Sequence, residues 1–290
     1  MKKNGLTISL IFEAQSANYG EGFSNLAILK KISRQGGNMY SYISRQALRY
    51  NMIQQLGWDN TPAEAQGSGD KKVVQFKPDA TIKDYPEIDL FGYMKTEKGD
   101  SAKTRSAVVR LSNAVALEAY SSDMDYLNNM ALAKRANQPN ALAQSEIQKS
   151  FYAYTITIDL DRIGVDDSDG ITISETEKAK RVVDLLKTVE TLYRDIRGRR
   201  ENLAPVFIVG GLYERKNAFF ENRLTLNKME LDVKKVKATM EGIESDTIVG
   251  YLEGSFNNGN EIENILKPCS IYQAFEKLAK EVEAYYNARA

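Results

Sequence analysis

Residues 151–160 read Phe-Tyr-Ala-Tyr-Thr-Ile-Thr-Ile-Asp-Leu. From Tyr152 onward larger apolar side chains alternate with small or hydroxyl-bearing ones, the period-two pattern of a strand with one face in a core. Residues 6–15, Leu-Thr-Ile-Ser-Leu-Ile-Phe-Glu-Ala-Gln, form a second short segment rich in β-forming residues. Both segments are therefore predicted to be strands.

Helical periodicity appears in three other places. Ser44 can cap a helix that runs to about Leu56, and Ser174-Glu175-Thr176-Glu177 has the form of a capping box at the start of an apolar stripe that continues to Gly198. An amphipathic helix closes the chain, and shorter segments read as strands. The expected helices are 44–56, 174–198 and 271–288, and the further strands are 88–95, 106–118, 205–213 and 247–252. This order suggests an α+β sandwich of the ferredoxin-like or RNA-recognition kind with long insertions.

Composition excludes several kinds of chemistry. The 290 residues contain no histidine and one cysteine, Cys269, so catalytic triads, His-ligated zinc and disulfides are not expected. Gly20-x-Gly22-x-x-Asn25 and Asp166-Asp167-Ser168-Asp169-Gly170 are incomplete dinucleotide and calcium motifs, so no cofactor and no metal are predicted. The sequence offers neither a signal peptide nor an apolar run long enough for a membrane, and a cytoplasmic location is expected.

Charge is balanced overall but unevenly distributed. The chain carries 39 basic and 39 acidic residues, yet residues 1–57 carry a net charge of +5 and residues 241–290 a net charge of −5 when their side chains are counted. A basic N-terminal part, which includes Lys30, Lys31 and Arg34, favours binding to a polyanion, while the asymmetry could also align subunits head to tail. A simple solvated acidic helix explains the tail equally well.

One stretch combines the features that polyanion binding needs. Residues 38–49, Asn-Met-Tyr-Ser-Tyr-Ile-Ser-Arg-Gln-Ala-Leu-Arg, contain two tyrosines able to stack, and the amides of a helix beginning at Ser44 can meet a phosphate. Arg45, Gln46 and Arg49 lie near the same end of that helix. The alternative interpretation is an amphipathic helix whose arginines are merely solvated.

The sequence also resembles a known family. The strand at residues 6–15, the following Ser-Ala-Asn-Tyr-Gly-Glu-Gly loop and residues 42–49 are similar to the CRISPR-associated Cascade backbone family, in particular its DevR-type branch of type I-B systems. The similarity continues through residues 89–94, Asp-Leu-Phe-Gly-Tyr-Met, and residues 105–112, Arg-Ser-Ala-Val-Val-Arg-Leu-Ser, and the order of elements follows the family over nearly the whole chain.

The resemblance implies a particular architecture. It implies one RNA-recognition-like palm over residues 1–290, with finger and web insertions at 58–104, a β-hairpin thumb at 119–150 and a further insertion at 214–246. The residues that it places against guide RNA are Asn18, Ser44, Arg45, Gln46, Arg49, Phe91 and Met94, in addition to the basic Lys30, Lys31 and Arg34. The thumb offers two aromatic side chains, Tyr120 and Tyr126.

The function implied is structural rather than catalytic. Copies of the protein would stack head to tail along a CRISPR guide RNA, beside other Cascade subunits and away from membranes, while the guide pairs with a target DNA strand. Two alternatives remain. An RNA endonuclease of the type III backbone kind would use an aspartate after the first strand, but between Gln15 and Ile43 the only acidic residue is Glu21. A transcriptional regulator is suggested only by the name of the branch.

Overall fold

The computed structural model describes residues 3–15, 18–20, 22, 25–34, 36–66, 72–96, 102–121, 123–140 and 142–289. The strands in chain order are β1 Gly5–Ala14, β2 Leu26–Ala27, β3 Lys31–Ser33, β4 Met39–Ile43, β5 Ala63–Gln66, β6 Val73–Phe76, β7 Tyr93–Lys95, β8 Lys103–Arg105, β9 Val109–Leu111, β10 Ala114–Ala116, β11 Asp123–Asn128, β12 Leu142–Ile147, β13 Ser150–Asp159, β14 Val165–Asp166, β15 Ile171–Thr172, β16 Tyr193–Ile196, β17 Arg199–Asn202, β18 Phe207–Tyr213, β19 Leu226–Asn227, β20 Glu230–Leu231 and β21 Ile248–Tyr251. The helices are α1 Arg45–Leu56, α2 Pro86–Phe91, α3 Met130–Arg135, α4 Glu175–Glu190, α5 Val233–Met240, α6 Gly259–Leu266 and α7 Ile271–Asn287.

A large antiparallel sheet forms the middle of the molecule. Within the described residues it has eight strands in the order β21-β18-β1-β13-β10-β4-β3, and β9 pairs with β13 next to β10. The two longest strands, β1 and β13, pair along their whole length from Gly5 opposite Asp159 to Ala14 opposite Ser150. The protein is therefore a mixed α/β structure with antiparallel sheets, and the strands predicted at residues 6–15 and 151–160 lie at its centre.

Both faces of this sheet are covered. Helices α1, α4 and α7 pack on one face, where their buried side chains meet Leu6, Ile8, Leu10 and Phe12 of β1. Helices α5 and α6 cover part of the opposite face around Ile11 and other alternate residues of the strands. Burial on both sides explains why β1 lacks a strictly alternating polar face.

The predicted helix at residues 44–56 is confirmed. The Ser44 hydroxyl accepts a hydrogen bond from the Ala47 amide, and the chain leaves the helix at Gly57 with a positive φ of 65°. The closing helix predicted at 271–288 is also confirmed, and a complete capping box at Ser270 and Gln273 starts it. None of the described helices combines the length and apolar character needed to cross a membrane.

One predicted helix is wrong at its C-terminal end. The helix predicted for 174–198 ends at Glu190, and residues 193–202 form the β16–β17 hairpin instead. Arg197 and Gly198 have φ values of 50° and 76°, the pair of positive values that a tight hairpin turn requires and a helix cannot contain. The apolar residues Tyr193 and Ile196 had fitted the helical stripe by coincidence.

The strand predicted for residues 88–95 is helical in its first half. Pro86 opens helix α2 at a position where its missing amide costs no hydrogen bond, and Gly92 then turns the chain into β7. A Cβ atom at position 92 would lie 2.3 Å from the carbonyl oxygen of Arg105. The strand predicted for 106–118 is divided into β9 and β10 by Ser112 and Asn113.

A buried ionic cluster holds this region to the body. Asp89 is fully buried and pairs with Arg105 of β8 at 2.7 Å and with Arg181 of α4 at 2.9 Å. The Gly164 amide donates to the same carboxylate at 2.9 Å. Burial raises the pKa of Asp89, while the two guanidinium groups and this amide act in the opposite direction. One carboxylate thus connects α2, β8, α4 and the loop that precedes β14.

The segments expected as insertions contain small elements of their own. Segment 58–104 holds the β5–β6 hairpin, α2, β7 and part of β8, and segment 119–150 holds β11, α3 and β12. Segment 214–246 holds β19, β20 and α5, whose apolar side chains help to cover the second face of the large sheet.

Candidate nucleic-acid interface

The start of helix α1 is fixed by two asparagine side chains. The Ser44 amide donates to Asn18 Oδ1 at 3.2 Å, and the Arg45 amide donates to Asn113 Oδ1 at 3.0 Å. The Ala47 amide donates to the Ser44 hydroxyl at 3.3 Å. These three amides are therefore occupied within the protein, which corrects, for them, the expectation that the amides at this helix start meet a phosphate. The side chains of Arg45, Gln46 and Arg49 remain exposed at this end of the helix.

Those side chains line an open groove of about 410 Å³, called the Arg45 groove below. Its lining consists of Arg45, Gln46, Arg49, Phe91, Ala107, Val109, Arg110 and Leu111. The three residues from helix α1 are one helical turn apart or adjacent, which places them on the same exposed end of the helix. The Arg49 guanidinium lies 5.7 Å from the centre of the Phe91 ring. The groove thus combines three cations, one amide and one aromatic ring.

Arg110 faces the helix from strand β9. Its guanidinium forms a two-point ion pair with Asp159, at 2.9 and 3.1 Å, and its side chain remains 45% exposed. The hydrogen bonds to Asp159 raise the pKa of Arg110. This pairing fixes the guanidinium plane while leaving donor edges open to solvent.

The base of segment 119–150 is attached to the N-terminal part of the chain by Lys31. Its ammonium contacts Glu146 of β12 at 2.8 Å and lies 4.3 Å from the centre of the Tyr120 ring. The Leu29 amide also donates to Glu146, at 2.9 Å. Lys31 is thus paired at this junction and lies apart from the described lining of the Arg45 groove.

The remaining predicted residues are spread over neighbouring surfaces. Lys30 donates its amide to the Asn18 carbonyl, and Met94 lies on β7 with 58% of its surface exposed. Arg34 lies 5.0 Å from the Tyr40 ring and lines a separate cavity of about 180 Å³. Asn113, which accepts a hydrogen bond from the Arg45 amide at the start of α1, also lines that cavity. Among the described residues no group of three or more potential ligands is arranged to hold a metal ion.

A family model for "CRISPR-associated negative auto-regulator DevR/Csa2" matches residues 6–229. The chain belongs to the CRISPR-associated DevR/Csa2 family. The match spans β1, the Arg45 groove, segment 119–150 and the β16–β17 hairpin of this DevR/Csa2 protein. No curated protein sequence gave a significant match.

Solved structures share the fold of this DevR/Csa2 chain. A chain of a structure described as "CRISPR RNA-guided surveillance complex, pre-nicking" superposes with a TM-score of 0.62 at 11% identity, covering 95% of this chain and 99% of that one. A chain of a second structure, described as "CRISPR RNA-guided surveillance complex", gives a TM-score of 0.53 at 14% identity, covering 86% of this chain and 90% of that one. The likeness at these identities is one of fold.

Sequence reasoning missed two residues of this DevR/Csa2 site. Arg110 and Asn113 lie in or next to residues 105–112, which carried part of the resemblance without being given a role. The run Val109-Arg110-Leu111 is a short alternation, so it could have placed Arg110 on the opposite face from buried Val109. Nothing in the sequence points to the contact between Asn113 and the start of helix α1.

Changing Glu146 to Gln should weaken the junction between segment 119–150 and the body in a pH-dependent way. Burial raises the pKa of Glu146, but Lys31 and the Leu29 amide outweigh it, so the pKa lies below its ordinary value of 4.5. The stabilisation is therefore complete above about pH 4.5 and is lost as pH falls through the lower folded value. We expect the variant to lose about 1–2 kcal/mol of unfolding free energy at neutral pH.

Urea unfolding of both proteins across a pH series measures this effect. The difference in unfolding free energy between wild type and Glu146→Gln, called the gap here, should disappear in acid, where the wild-type carboxyl is also neutral. The pKa of Lys31 is raised because Glu146 and Tyr120 outweigh its burial, so the gap should also shrink well above pH 10.5. A gap that is constant from neutral to acid pH would show that the charge of Glu146 contributes nothing.

Proposed function

We propose that this protein binds the sugar-phosphate backbone of a CRISPR guide RNA in the Arg45 groove. The observation that carries the proposal is the convergence of Arg45, Arg49 and Arg110 on one open groove beside Gln46 and the Phe91 ring. Guanidinium groups match phosphate oxygens with two parallel donors, and Phe91, which is only 7% exposed, supports the Arg49 guanidinium from below. Membership in the DevR/Csa2 family and the fold shared with chains of RNA-guided complexes support guide RNA as the ligand.

Backbone contacts suit a protein that must hold any guide. Phosphate and ribose contacts position a strand without reading its sequence. The bases then remain available to pair with a target DNA strand, so specificity belongs to the RNA. Holding those bases in order on a protein support lowers the entropy lost when pairing begins.

The topology supports the palm description. The strand order is β18-β1-β13-β10, with α1 between β1 and β10 in sequence and α4 between β13 and β18. This order supports a split β-α-β fold of the ferredoxin-like kind. Both helices pack on the same face of the sheet. We therefore infer an RNA-recognition-like palm, with fingers and web at 58–104, the thumb at 119–150 and a further insertion at 214–246.

Assembly is the second part of the proposal. Copies of the chain would stack head to tail along the guide as the backbone of a type I-B Cascade complex in the cytoplasm, together with other subunits. The basic N-terminal part and the acidic C-terminal part favour this orientation. The thumb is exposed along β11 and α3, as an element that reaches a neighbouring copy would be.

Changing Arg45 and Arg49 together to Ala should weaken RNA binding equally for unrelated sequences. Each lost phosphate contact should flatten the slope of log affinity against log salt by roughly 0.7 for a single strand. Fluorescence anisotropy with labelled single-stranded RNAs of different sequence measures both quantities. The control is Lys234→Ala with Lys277→Ala, which removes the same charge from exposed positions on α5 and α7.

Three outcomes would contradict the proposal. They are a flat salt response of the wild type, a loss confined to one RNA sequence, and an equal loss in the control. Tighter binding to one duplex DNA sequence than to RNA would favour the regulator that the family description names.

The protein should not cleave RNA. The chain has no histidine, and its only acidic residue between Gln15 and Ile43 is Glu21, which lies outside the described residues. We propose a non-catalytic role, so labelled RNA complementary to the guide should stay intact in the presence of magnesium. Cleavage that disappears in Glu21→Gln would replace this proposal with that of an endonuclease.

A further inference from the structure

The β16–β17 hairpin, residues 193–202, is rich in arginine. It carries Arg194, Arg197, Arg199 and Arg200 against two acidic residues, Asp195 and Glu201. The proposed function uses none of these side chains. The hairpin is called the arginine hairpin below.

The pairing inside the arginine hairpin leaves positive charge at its turn. The buried Glu201 carboxylate accepts from both Arg194 and Arg199, at 2.6 and 2.7 Å. Exposed Asp195 pairs with Arg200. Arg197 has no carboxylate partner within the described part of the chain, so the turn carries more guanidinium groups than carboxylates.

A short chain of contacts links the turn to the start of helix α1, whose residues Arg45, Gln46 and Arg49 line the Arg45 groove. The Arg197 guanidinium lies 4.2 Å from the centre of the Tyr19 ring and donates to the Ser145 hydroxyl at 2.5 Å. Tyr19 directly follows Asn18, whose side chain accepts from the Ser44 amide at the start of α1. Arg197 is therefore placed between the N-terminal loop and thumb strand β12.

The chemistry of these contacts suits a phosphodiester. A guanidinium stacked on an aromatic ring keeps the donors in its plane available, and the ring restricts its rotamers before a ligand arrives. Arg200 is stacked in the same way, 4.3 Å from the centre of the Tyr193 ring, while its Nε and Nη2 donate to Asp195 and its other donors face outward from that pair. Two preoriented guanidinium groups and a tyrosine form a surface for a single-stranded backbone rather than for a compact ion.

We propose that the turn of the arginine hairpin is a second phosphate-binding point for the RNA strand that lies in the Arg45 groove. This inference rests on the proposed function and extends it to Arg197 and Arg200. The strand would leave the groove near Asn18 and run over the surface of the turn, where Arg197 contacts both Tyr19 and Ser145.

RNA binding by three matched double variants tests the inference. Arg197→Ala with Arg200→Ala removes both contacts, Arg197→Lys with Arg200→Lys keeps the charge, and Lys234→Ala with Lys277→Ala is the charge control. The probe is a long single-stranded polyuridine RNA, titrated by anisotropy between about 50 and 200 mM salt. Circular dichroism checks that each variant is folded, and light scattering reports the size of the assemblies on RNA.

We expect the alanine pair to flatten the salt slope by about 1.4 relative to wild type, at roughly 0.7 per contact. The lysine pair should keep most of the slope, and the control should match the wild type. An alanine pair that matches the control overturns the inference and leaves the Arg45 groove intact. Unchanged RNA binding with smaller assemblies also overturns it, because the hairpin would then contact a protein neighbour.

RNA binding by the Arg45→Ala, Arg49→Ala variant tests the Arg45 groove independently of the arginine hairpin. If Arg45→Ala with Arg49→Ala binds RNA as the wild type does, the proposed groove is wrong and the claim of one shared strand falls with it. If that variant and the alanine pair each flatten the slope, both sites contact the RNA.

Discussion

Replacing residues 127–143 with Asn-Gly should give a protein that folds like the wild type and fails to form long filaments on guide RNA. The replaced segment includes α3 and the outer ends of β11 and β12, where the described residues are exposed or only partly covered. Asn-Gly favours the tight turn that would connect Tyr126 to Gln144, which face each other in the hairpin. Little core packing is lost, so stability should change little.

The inner part of segment 119–150 has to be kept in this experiment. Ser145 and Gln148 are buried, and Glu146 holds Lys31 and the Leu29 amide. Removing all of residues 121–148 would break these contacts and confuse loss of fold with loss of assembly. The shortened hairpin separates the two effects.

Thermal melting and sizing on a long RNA give the two readouts. Filament length should collapse because each subunit loses the contacts that reach its neighbour, and such contacts multiply along a filament. Tyr126, which is 58% exposed and remains in this variant, can be changed to Ala as a separate control for a contact made by its ring. A shortened protein that still forms full-length filaments would show that this segment does not connect subunits.

Changing Asp89 to Ala should destabilise the protein by about 3–5 kcal/mol, the usual cost of removing one partner from a buried ionic cluster. The variant leaves Arg105 and Arg181 buried without their shared carboxylate. The Gly164 amide also loses its acceptor. Since Asp89 lies on α2 two residues before Phe91, the wall of the Arg45 groove should loosen and RNA affinity should fall as well.

Urea unfolding measures this loss, with Asp184→Ala as the matched control. Asp184 pairs with Lys180 on the surface of the same helix that carries Arg181, and exposed pairs of this kind contribute no more than about 0.5 kcal/mol. A loss of less than about 1 kcal/mol in Asp89→Ala would show that the cluster is not a structural centre. Both variants remove one carboxylate, so their net charge is equal.

Local patterns predicted the framework well. The central strands β1, β13 and β18 and the helices α1 and α7 follow from period-two or helical spacing and from serine caps, which are encoded within a few residues of each other. The arginine hairpin escaped prediction because its apolar residues continue the stripe of α4, and only the turn at Arg197 and Gly198 breaks it. Helix α2 escaped because a short apolar run can be a strand or a helix.

In the candidate site, too, local patterns predicted some features and long-range contacts decided the others. The resemblance and the helix spacing brought together Arg45, Gln46, Arg49 and Phe91, and the structure places all four on one groove. Lys31 was chosen for its charge, but its carboxylate partner lies 115 residues further along the chain, a distance over which sequence patterns say nothing. Long-range pairing decides which surface cations are already neutralised by the protein.

Sequencing the RNA that copurifies with the protein, expressed together with a CRISPR array and the other subunits of its complex so that assembly occurs on guides, tests the central claim most directly. We predict guide RNAs carrying all spacers of the array in similar amounts, since backbone contacts do not read sequence. The Arg45→Ala, Arg49→Ala protein should recover little RNA, and the Lys234→Ala, Lys277→Ala control should recover as much as the wild type. Recovery of no RNA, or of cellular RNA without enrichment of guides, would contradict the account.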